Sequence, residues 1–108
     1  IKVRRLRLPG KQGTSGLTGK YRLHRYAYRT TIENPSEREI EVSVEERIPV
    51  AEDERIRVEL GDATTAGWVE DSDRPGVMIW NVTIPAGGQR AVEVHFSVRA
   101  PRELRLPL

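Results

Sequence analysis

The stretch that most constrains the fold is residues 26–50, YAYRTTIENPSEREIEVSVEERIPV, where apolar and polar residues alternate on both sides of a turn. A helix would need apolar spacings of three and four, whereas these residues recur every second position. Between the two runs, Pro35 presets φ, and the Asn34 side chain can bond the backbone two residues further on. The stretch therefore predicts a hairpin of two β-strands that ends at Pro49, which cannot donate to a ladder.

The preceding residues predict two more strands and a loop. Residues 1–8 fit an edge strand with a bulge, because the apolar parity switches between Val3 and Leu6. The glycine-rich residues 10–19 predict a mobile hairpin loop. Residues 21–34 form a long strand candidate whose apolar parity changes near its middle, so that it could bend or serve two sheets.

The second half of the chain is also a series of short strands. They are predicted at residues 56–60, 77–84 and 89–100, with a short strand near Trp68 and a polar loop at residues 70–76. Six to seven strands with Gly, Pro and Asn turns and no helical window predict an all-β antiparallel β-sandwich of immunoglobulin/fibronectin-like type. We expect one such domain over residues 1–108, as the C-terminal fragment of a longer protein.

The two tryptophans are expected to differ. Trp80 lies in the strongly apolar run of residues 77–84 and is predicted to be a core anchor. Trp68 has a polar neighbourhood next to Gly67, so it is the better candidate for a surface anchor.

Charge is unevenly distributed, although the net charge is only +2. Residues 1–29 hold nine basic residues and no acid, and the remaining residues hold nine basic residues and all 16 acids. The basic part suggests an anion-binding surface for nucleic acid, acidic glycan or lipid headgroups, built from Arg4, Arg5, Arg7, Arg22, Arg25 and Arg29. The favoured alternative is that these arginines pair with the glutamates of the next strand.

The residue types needed for common catalysis are scarce. There is no Cys, no GxSxG sequence surrounds any Ser, and the two histidines, His24 and His95, fall on predicted strands. Two imidazoles without Cys do not complete a structural zinc site. Whether the acidic loops at residues 52–54 and 71–73 bind calcium is left open, with solvated turn residues as the favoured interpretation. We therefore predict no catalytic, cofactor-binding or metal site.

The order of these motifs resembles a bacterial family. A tyrosine-led strand ending in Glu33-Asn34, a strand closing on Ile48-Pro49, a Gly…Trp strand, a Pro-Gly turn and a final strand ending at Pro101 are similar to the C-terminal domain of unknown function of mucoidy-inhibitor-A-like (MuiA family) proteins. The resemblance covers about residues 20–103. It implies a β-sandwich attached to an N-terminal domain and a coiled coil, often in exported proteins, and it supplies no activity.

Taken together, these observations predict a non-catalytic module that mediates protein–protein or cell-envelope interactions. Its candidate surface is the six arginines named above together with Trp68. A protein partner or other domains of the same chain are expected, nucleic acid is not, and a membrane surface or a second copy is left open. The resemblance implies the cell envelope or periplasm as the location.

Overall fold

The computed structural model describes residues 1–10, 12–15 and 19–104. Over these ranges the chain forms β-strands and no helix. The strands are β1 (Lys2–Leu8), β2 (Gln12–Ser15), β3 (Tyr21–Glu33), β4 (Ile40–Arg47), β5 (Arg57–Leu60), β6 (Val69–Glu70), β7 (Val77–Ile84) and β8 (Gln89–Pro101). Their alternating sequences explain the strands β3, β4, β7 and β8, because each of these buries one side more deeply than the other.

The strands make two antiparallel sheets. Sheet I has the order β1-β3-β8-β5, with β2 also paired to β3, and sheet II has the order β4-β7-β6. Because β8 pairs along the whole of β3, β1 and β2 must share its other edge, end to end. Counting them as one interrupted strand gives seven strands, four in sheet I and three in sheet II. The predicted all-β, sandwich-like architecture is confirmed.

The edge formed by β1 and β2 changes register between its two parts. Leu8 pairs with Ala27, but Gln12 pairs with His24, so one residue is gained on the edge strand. A Cβ at Gly10 would clash with the carbonyl oxygen of Arg25, so the close approach of the backbones requires glycine here. The bulge predicted within residues 1–8 is thus wrong in position, since β1 pairs regularly and the shift follows it.

The predicted hairpin of residues 26–50 is wrong. β3 pairs with β1, β2 and β8, whereas β4 pairs with β7, so the two runs belong to different sheets. The alternation was read correctly, but it reports which side of a strand is buried and not which strand lies beside it. Residues 34–39 therefore connect the two layers of the sandwich. The turn chemistry is confirmed, because Asn34 Oδ1 accepts a hydrogen bond from the Ser36 N–H at 3.1 Å.

Two further predictions about the N-terminal half also fail. β3 neither bends into a second sheet nor breaks its register, since all its residues pair one to one with β8 in sheet I. Within the glycine-rich residues 10–19, Gln12–Ser15 is a strand and not a loop, although the antiparallel pairing expected of a hairpin is found, since β1 and β2 both pair with β3. The remainder of that prediction, at residues 11 and 16–18, lies outside the described residues.

The core lies between the two sheets and is mostly aliphatic. Sheet I contributes the inward side chains of β3 and β8, and sheet II contributes those of β4 and β7. They are Ile32, Val92, Val94, Phe96 and Val98 from sheet I, and Val44, Met78, Trp80 and Ile84 from sheet II. Each fully buried side chain of this size contributes about 1.5–3 kcal/mol. Trp80 is 2% exposed and donates from Nε1 to the Thr65 carbonyl at 2.9 Å, which confirms it as a core anchor.

One end of the sandwich is joined by the amide of Asn34, which is 1% exposed. Its Nδ2 lies 2.7, 3.2 and 3.1 Å from the carbonyl oxygens of Arg38, Ile84 and Pro85. Its own backbone N–H donates to the Gly88 carbonyl at 2.9 Å. One side chain thus ties the β3–β4 connection to the β7–β8 turn, and the three carbonyls fix which amide atom is the nitrogen.

Replacing Asn34 by alanine is expected to lower the free energy of unfolding by about 2 kcal/mol, because buried carbonyls lose their donor. Asn34→Asp should cost at least as much, since a carboxylate would face those same oxygens. The matched control is Asn81→Ala, which removes an exposed amide bonded to Ser43 Oγ at 2.8 Å. Urea unfolding of the variants measures the difference, and equal losses for N34A and N81A would contradict the role given to Asn34.

Candidate functional site

The six arginines selected from the sequence do not form one surface. Side chains alternate along β1 and β3, and this sends three arginines to each side of sheet I. The outer face receives Arg4, Arg25 and Arg29, and the inner side receives Arg5, Arg7 and Arg22. Arginines that are close together in the sequence therefore lie on opposite faces of sheet I.

Three of these six arginines pair with carboxylates within the chain. Arg4 lies 3.3 Å from Glu33, and Arg29 lies 3.0 Å from Glu93. The favoured prediction, that the arginines are neutralised by glutamates, is therefore right in kind for these two. For these two the predicted partners are wrong, because β4 is not adjacent to β3 and the acids come from β3 itself and from β8. For Arg5 the prediction is confirmed, since its partner Glu46 lies on β4.

The buried partner is Glu46, on the inward side of β4 and 7% exposed. Arg5 Nε and Nη2 donate to its two carboxylate oxygens, each at 3.0 Å, and Thr30 Oγ1 donates to Oε1 at 2.8 Å. The side-chain hydrogen bond to Glu46 raises the pKa of the Arg5 guanidinium. We call Arg5, Glu46 and Thr30 the inter-sheet clasp, because it links β1 and β3 of sheet I to β4 of sheet II.

The inner tyrosines are sheet residues whose ring faces are already covered. The Arg5 guanidinium lies 4.0 Å from the ring centroid of Tyr28, and that of Arg7 lies 5.5 Å from Tyr26. Tyr26 also stacks on Phe96 with the ring centroids 5.2 Å apart. This arrangement leaves the two rings poorly placed to stack nucleic-acid bases.

The outer face of sheet I carries a chain of three polar side chains, Arg29, Glu93 and His95. Arg29 Nε lies 3.0 Å from Glu93 Oε2, and His95 Nε2 lies 2.8 Å from Glu93 Oε1. The hydrogen bonds from His95 and from Arg29 lower the pKa of the Glu93 carboxyl. No hydrogen bond joins His95 to Ser97, its neighbour on the same face, so the geometry does not assemble a nucleophile with a base.

His95 also borders a shallow groove of about 520 Å³ between the β3–β8 ladder and residues 59–63. Ala27 lies at its floor and is buried even though it belongs to the outer face. Gly61 packs against His95, and the Gly61 N–H donates to the His95 carbonyl at 2.7 Å. His24 instead lies on the inner side, where its ring stacks with Tyr26.

The carboxylates of the two acidic loops form ion pairs with arginines. Asp53 binds Arg55 Nη2 at 2.8 Å, and this pair with the Arg55 backbone N–H lowers the pKa of the Asp53 carboxyl to about 2. Asp71 and Glu45 share Arg74, at 2.6 and 2.8 Å. Among residues 1–10, 12–15 and 19–104, no group of three or more His, Cys, Asp or Glu side chains is arranged to hold a metal ion.

Trp68 lies beside β6 at the edge of sheet II and is 38% exposed, next to Val69, which is 64% exposed. The structure thus places Trp68 on the surface, but on a different sheet from the arginines with which it was grouped.

The described part of the chain contains no helix that could cross a membrane.

Sequence reasoning missed an apolar groove between the free edges of the two sheets. It has a volume of about 420 Å³ and lies between β1 and β4. The inter-sheet clasp lies at this groove, whose apolar lining is Ile1, Val3, Ile32, Val42 and Val44. Of these, Ile1 and Val3 are 68% and 65% exposed. The sequence contains one signal of this groove. Glu46 follows Ile40, Val42 and Val44 at every second position, so it is a charged residue on the inward side of β4.

The fold is thus that of an all-β, two-sheet domain. Residues 1–102 match the family model described as a domain of unknown function, DUF4139, and the chain belongs to that family. Neither the curated proteins nor the solved structures include a significant match.

The inter-sheet clasp gives a test of how the edge is held. Arg5→Met is expected to lower the free energy of unfolding by about 1–3 kcal/mol, because it leaves the Glu46 carboxylate buried beside Thr30 alone. Arg4→Met is the matched control. It removes an exposed pair from the same strand and should change stability by less than about 1 kcal/mol. Denaturant unfolding of both variants gives the comparison, and equal effects would show that the clasp has no special role.

The Glu93 carboxyl gives a test by titration. Its pKa is lowered in the folded protein, so its contribution to stability is present above the usual pKa of 4.5 and is lost as the pH falls through the folded value. NMR of the side-chain carboxyl should therefore give a pKa below 4.5, and His95→Gln should raise it towards that value. Asp53, whose carboxyl is paired with Arg55 in another loop, serves as a reference in both samples. An unchanged Glu93 pKa in H95Q would contradict the assigned cause.

Proposed function

We propose that this domain is a non-catalytic interaction module that binds an extended segment of a partner protein along β1. The observation that carries the proposal is the outer edge of β1, which no other described strand pairs with and which lies next to the apolar groove between β1 and β4. Such an edge presents unpaired backbone groups, and natural proteins recognise extended peptides by adding them as a strand.

The composition of β1 indicates what the partner segment contains. Ile1, Val3 and Leu6 are 68%, 65% and 50% exposed, so both sides of the edge offer apolar contacts. Lys2 and Arg7 have no carboxylate partner among the described residues, and β1 itself contains no acid. A strand in which apolar and acidic residues alternate complements this edge in both respects.

Support for a non-enzymatic role comes from the outer face of sheet I. His95 is bonded to Glu93, and Ser97 has no hydrogen bond to it, so the groove beside them lacks an activated nucleophile. The N-terminal arginines give less support to a general anion-binding surface, because the sheet divides them and Arg4, Arg5 and Arg29 are paired with glutamates.

The wider setting follows from the resemblance to the C-terminal domain of mucoidy-inhibitor-A-like proteins. In that setting the module belongs to a larger bacterial protein of the cell envelope, and its partner is another envelope protein or another domain of the same chain. Membership of the DUF4139 family does not by itself assign a function to the domain.

A synthetic peptide about eight residues long, with valine and glutamate alternating, is the probe. Its addition should shift the amide NMR signals of β1 and slow their hydrogen exchange, because new backbone hydrogen bonds form there. Val3→Glu should abolish the effect by placing a carboxylate in the groove. Val69→Glu is the control, since Val69 is 64% exposed on the opposite edge, against 65% for Val3.

A peptide with lysine in place of glutamate should not bind. The proposal fails if neither peptide perturbs β1, if both bind equally, or if V69E weakens binding as much as V3E.

A further inference from the structure

A second polar cavity lies on sheet I, at the end where β3 begins and β8 finishes. Its volume is about 810 Å³, within the range of small-molecule sites. The lining is strongly basic, with Lys20, Arg55, Arg57, Arg99 and Arg102 against Glu54 and Glu103. None of these residues belongs to the arginine set selected from the sequence, and the cavity is remote from the apolar groove.

The charges in this cavity are not balanced. Arg55 is held by Asp53 at 2.8 Å, so it contributes no free charge. The other four basic residues face two glutamates, which leaves an excess of about two positive charges. This contrasts with Arg4, Arg5 and Arg29 elsewhere on sheet I, each of which has a carboxylate within 3.3 Å.

Arg57 and Arg99 are direct cross-strand partners in the β5–β8 ladder, and their side chains therefore share one face of the sheet. Like charges directly opposite each other destabilise a sheet. Within the described residues neither guanidinium has an ion pair that would offset this repulsion. An anion bound between the two side chains would relieve this repulsion.

Arg99 supplies a second, independent observation. Its Nε is buried and has no hydrogen-bond partner among the described residues. A buried donor without an acceptor is uncommon, and leaving it unpaired costs free energy. The guanidinium is held 5.1 Å from the ring centroid of Tyr21, which fixes its position at the cavity wall. The Arg99 guanidinium is therefore positioned before any ligand arrives.

We propose that this cavity binds a doubly charged oxyanion of the phosphate-monoester class between Arg57 and Arg99. Guanidinium groups match the oxygens of phosphate in a bidentate manner, and a dianion neutralises the excess of two charges where a single carboxylate would not. Lys20 and Arg102 lie at the same cavity and add charge at its rim. This proposal does not depend on the peptide site at β1.

The test uses the whole chain at about pH 8, where a phosphate monoester, with a second pKa near 6, is a dianion. The melting temperature and the heat of binding are measured with inorganic phosphate, methyl phosphate, dimethyl phosphate and acetate, each at the same ionic strength. Phosphate and methyl phosphate should bind and raise the melting temperature, whereas the singly charged dimethyl phosphate and acetate should not. Tighter binding of methyl phosphate than of phosphate identifies an ester, and the reverse identifies the free ion.

Arg57→Gln should weaken phosphate binding by about tenfold or more, because one charge-assisted donor is lost. In chloride alone the same variant should melt no lower than the parent protein, since the repulsion is gone. Arg90→Gln on β8 is the matched control, as Arg90 is exposed and lies at the other end of the ladder. Arg102→Gln, in the turn after β8, is a second variant that should also weaken binding.

Three results would overturn the proposal. The first is no phosphate-dependent rise in melting temperature, and the second is an equal rise in R57Q and the parent protein. The third is binding of single-stranded DNA, a phosphodiester, without binding of either dianion.

Discussion

The two layers of this domain depend on one buried amide. Asn34 stands where the chain leaves sheet I for sheet II, and its side chain binds the carbonyls of that connection and of the β7–β8 turn. Without such a donor the buried carbonyl of Ile84 would have no side-chain partner. At the free edges, the inter-sheet clasp joins the same layers through Arg5 and Glu46. The apolar core packs between these two polar connections.

This arrangement also determines where binding surfaces can lie. The β3–β8 ladder is longer than any ladder of sheet II, so sheet I provides a rigid platform. Its edge at β1 remains open beside an apolar groove, and its far end carries the basic cavity around Arg57 and Arg99. The two proposed sites therefore use different chemistry, backbone pairing at one and charge at the other.

Local structure could be predicted from the sequence because alternation and turn residues report it directly. The strands β4, β5, β7 and β8, the turn at Asn34 and the burial of Trp80 are confirmed. Strand pairing could not be predicted, because a hairpin and a connection between two sheets leave the same alternation in the sequence. The immunoglobulin/fibronectin-like subtype remains a prediction.

The sites were harder to predict for the same reason. Arg57 and Arg99 are 42 positions apart, and only the β5–β8 pairing brings them opposite each other. The arginines at the N-terminal end were conspicuous because they are adjacent in sequence, yet alternation separates them on the sheet. Glu46 was the one accessible clue, a charged residue at an inward position of a regular strand.

The direction of the strands in sheet I has a mechanical consequence. β1 starts at the end of β3 marked by Glu33, and β8 finishes at the opposite end, beside Tyr21. A tension applied to the start of β1 and the finish of β8 acts along the ladders and not across them. The hydrogen bonds within each ladder, β1–β3 or β3–β8, then share the load and must rupture together, whereas the two ladders bear the load in series. In a pulling experiment, sheet I would therefore be sheared and would resist extension strongly. A strand pulled perpendicular to its ladder would instead lose its hydrogen bonds one at a time.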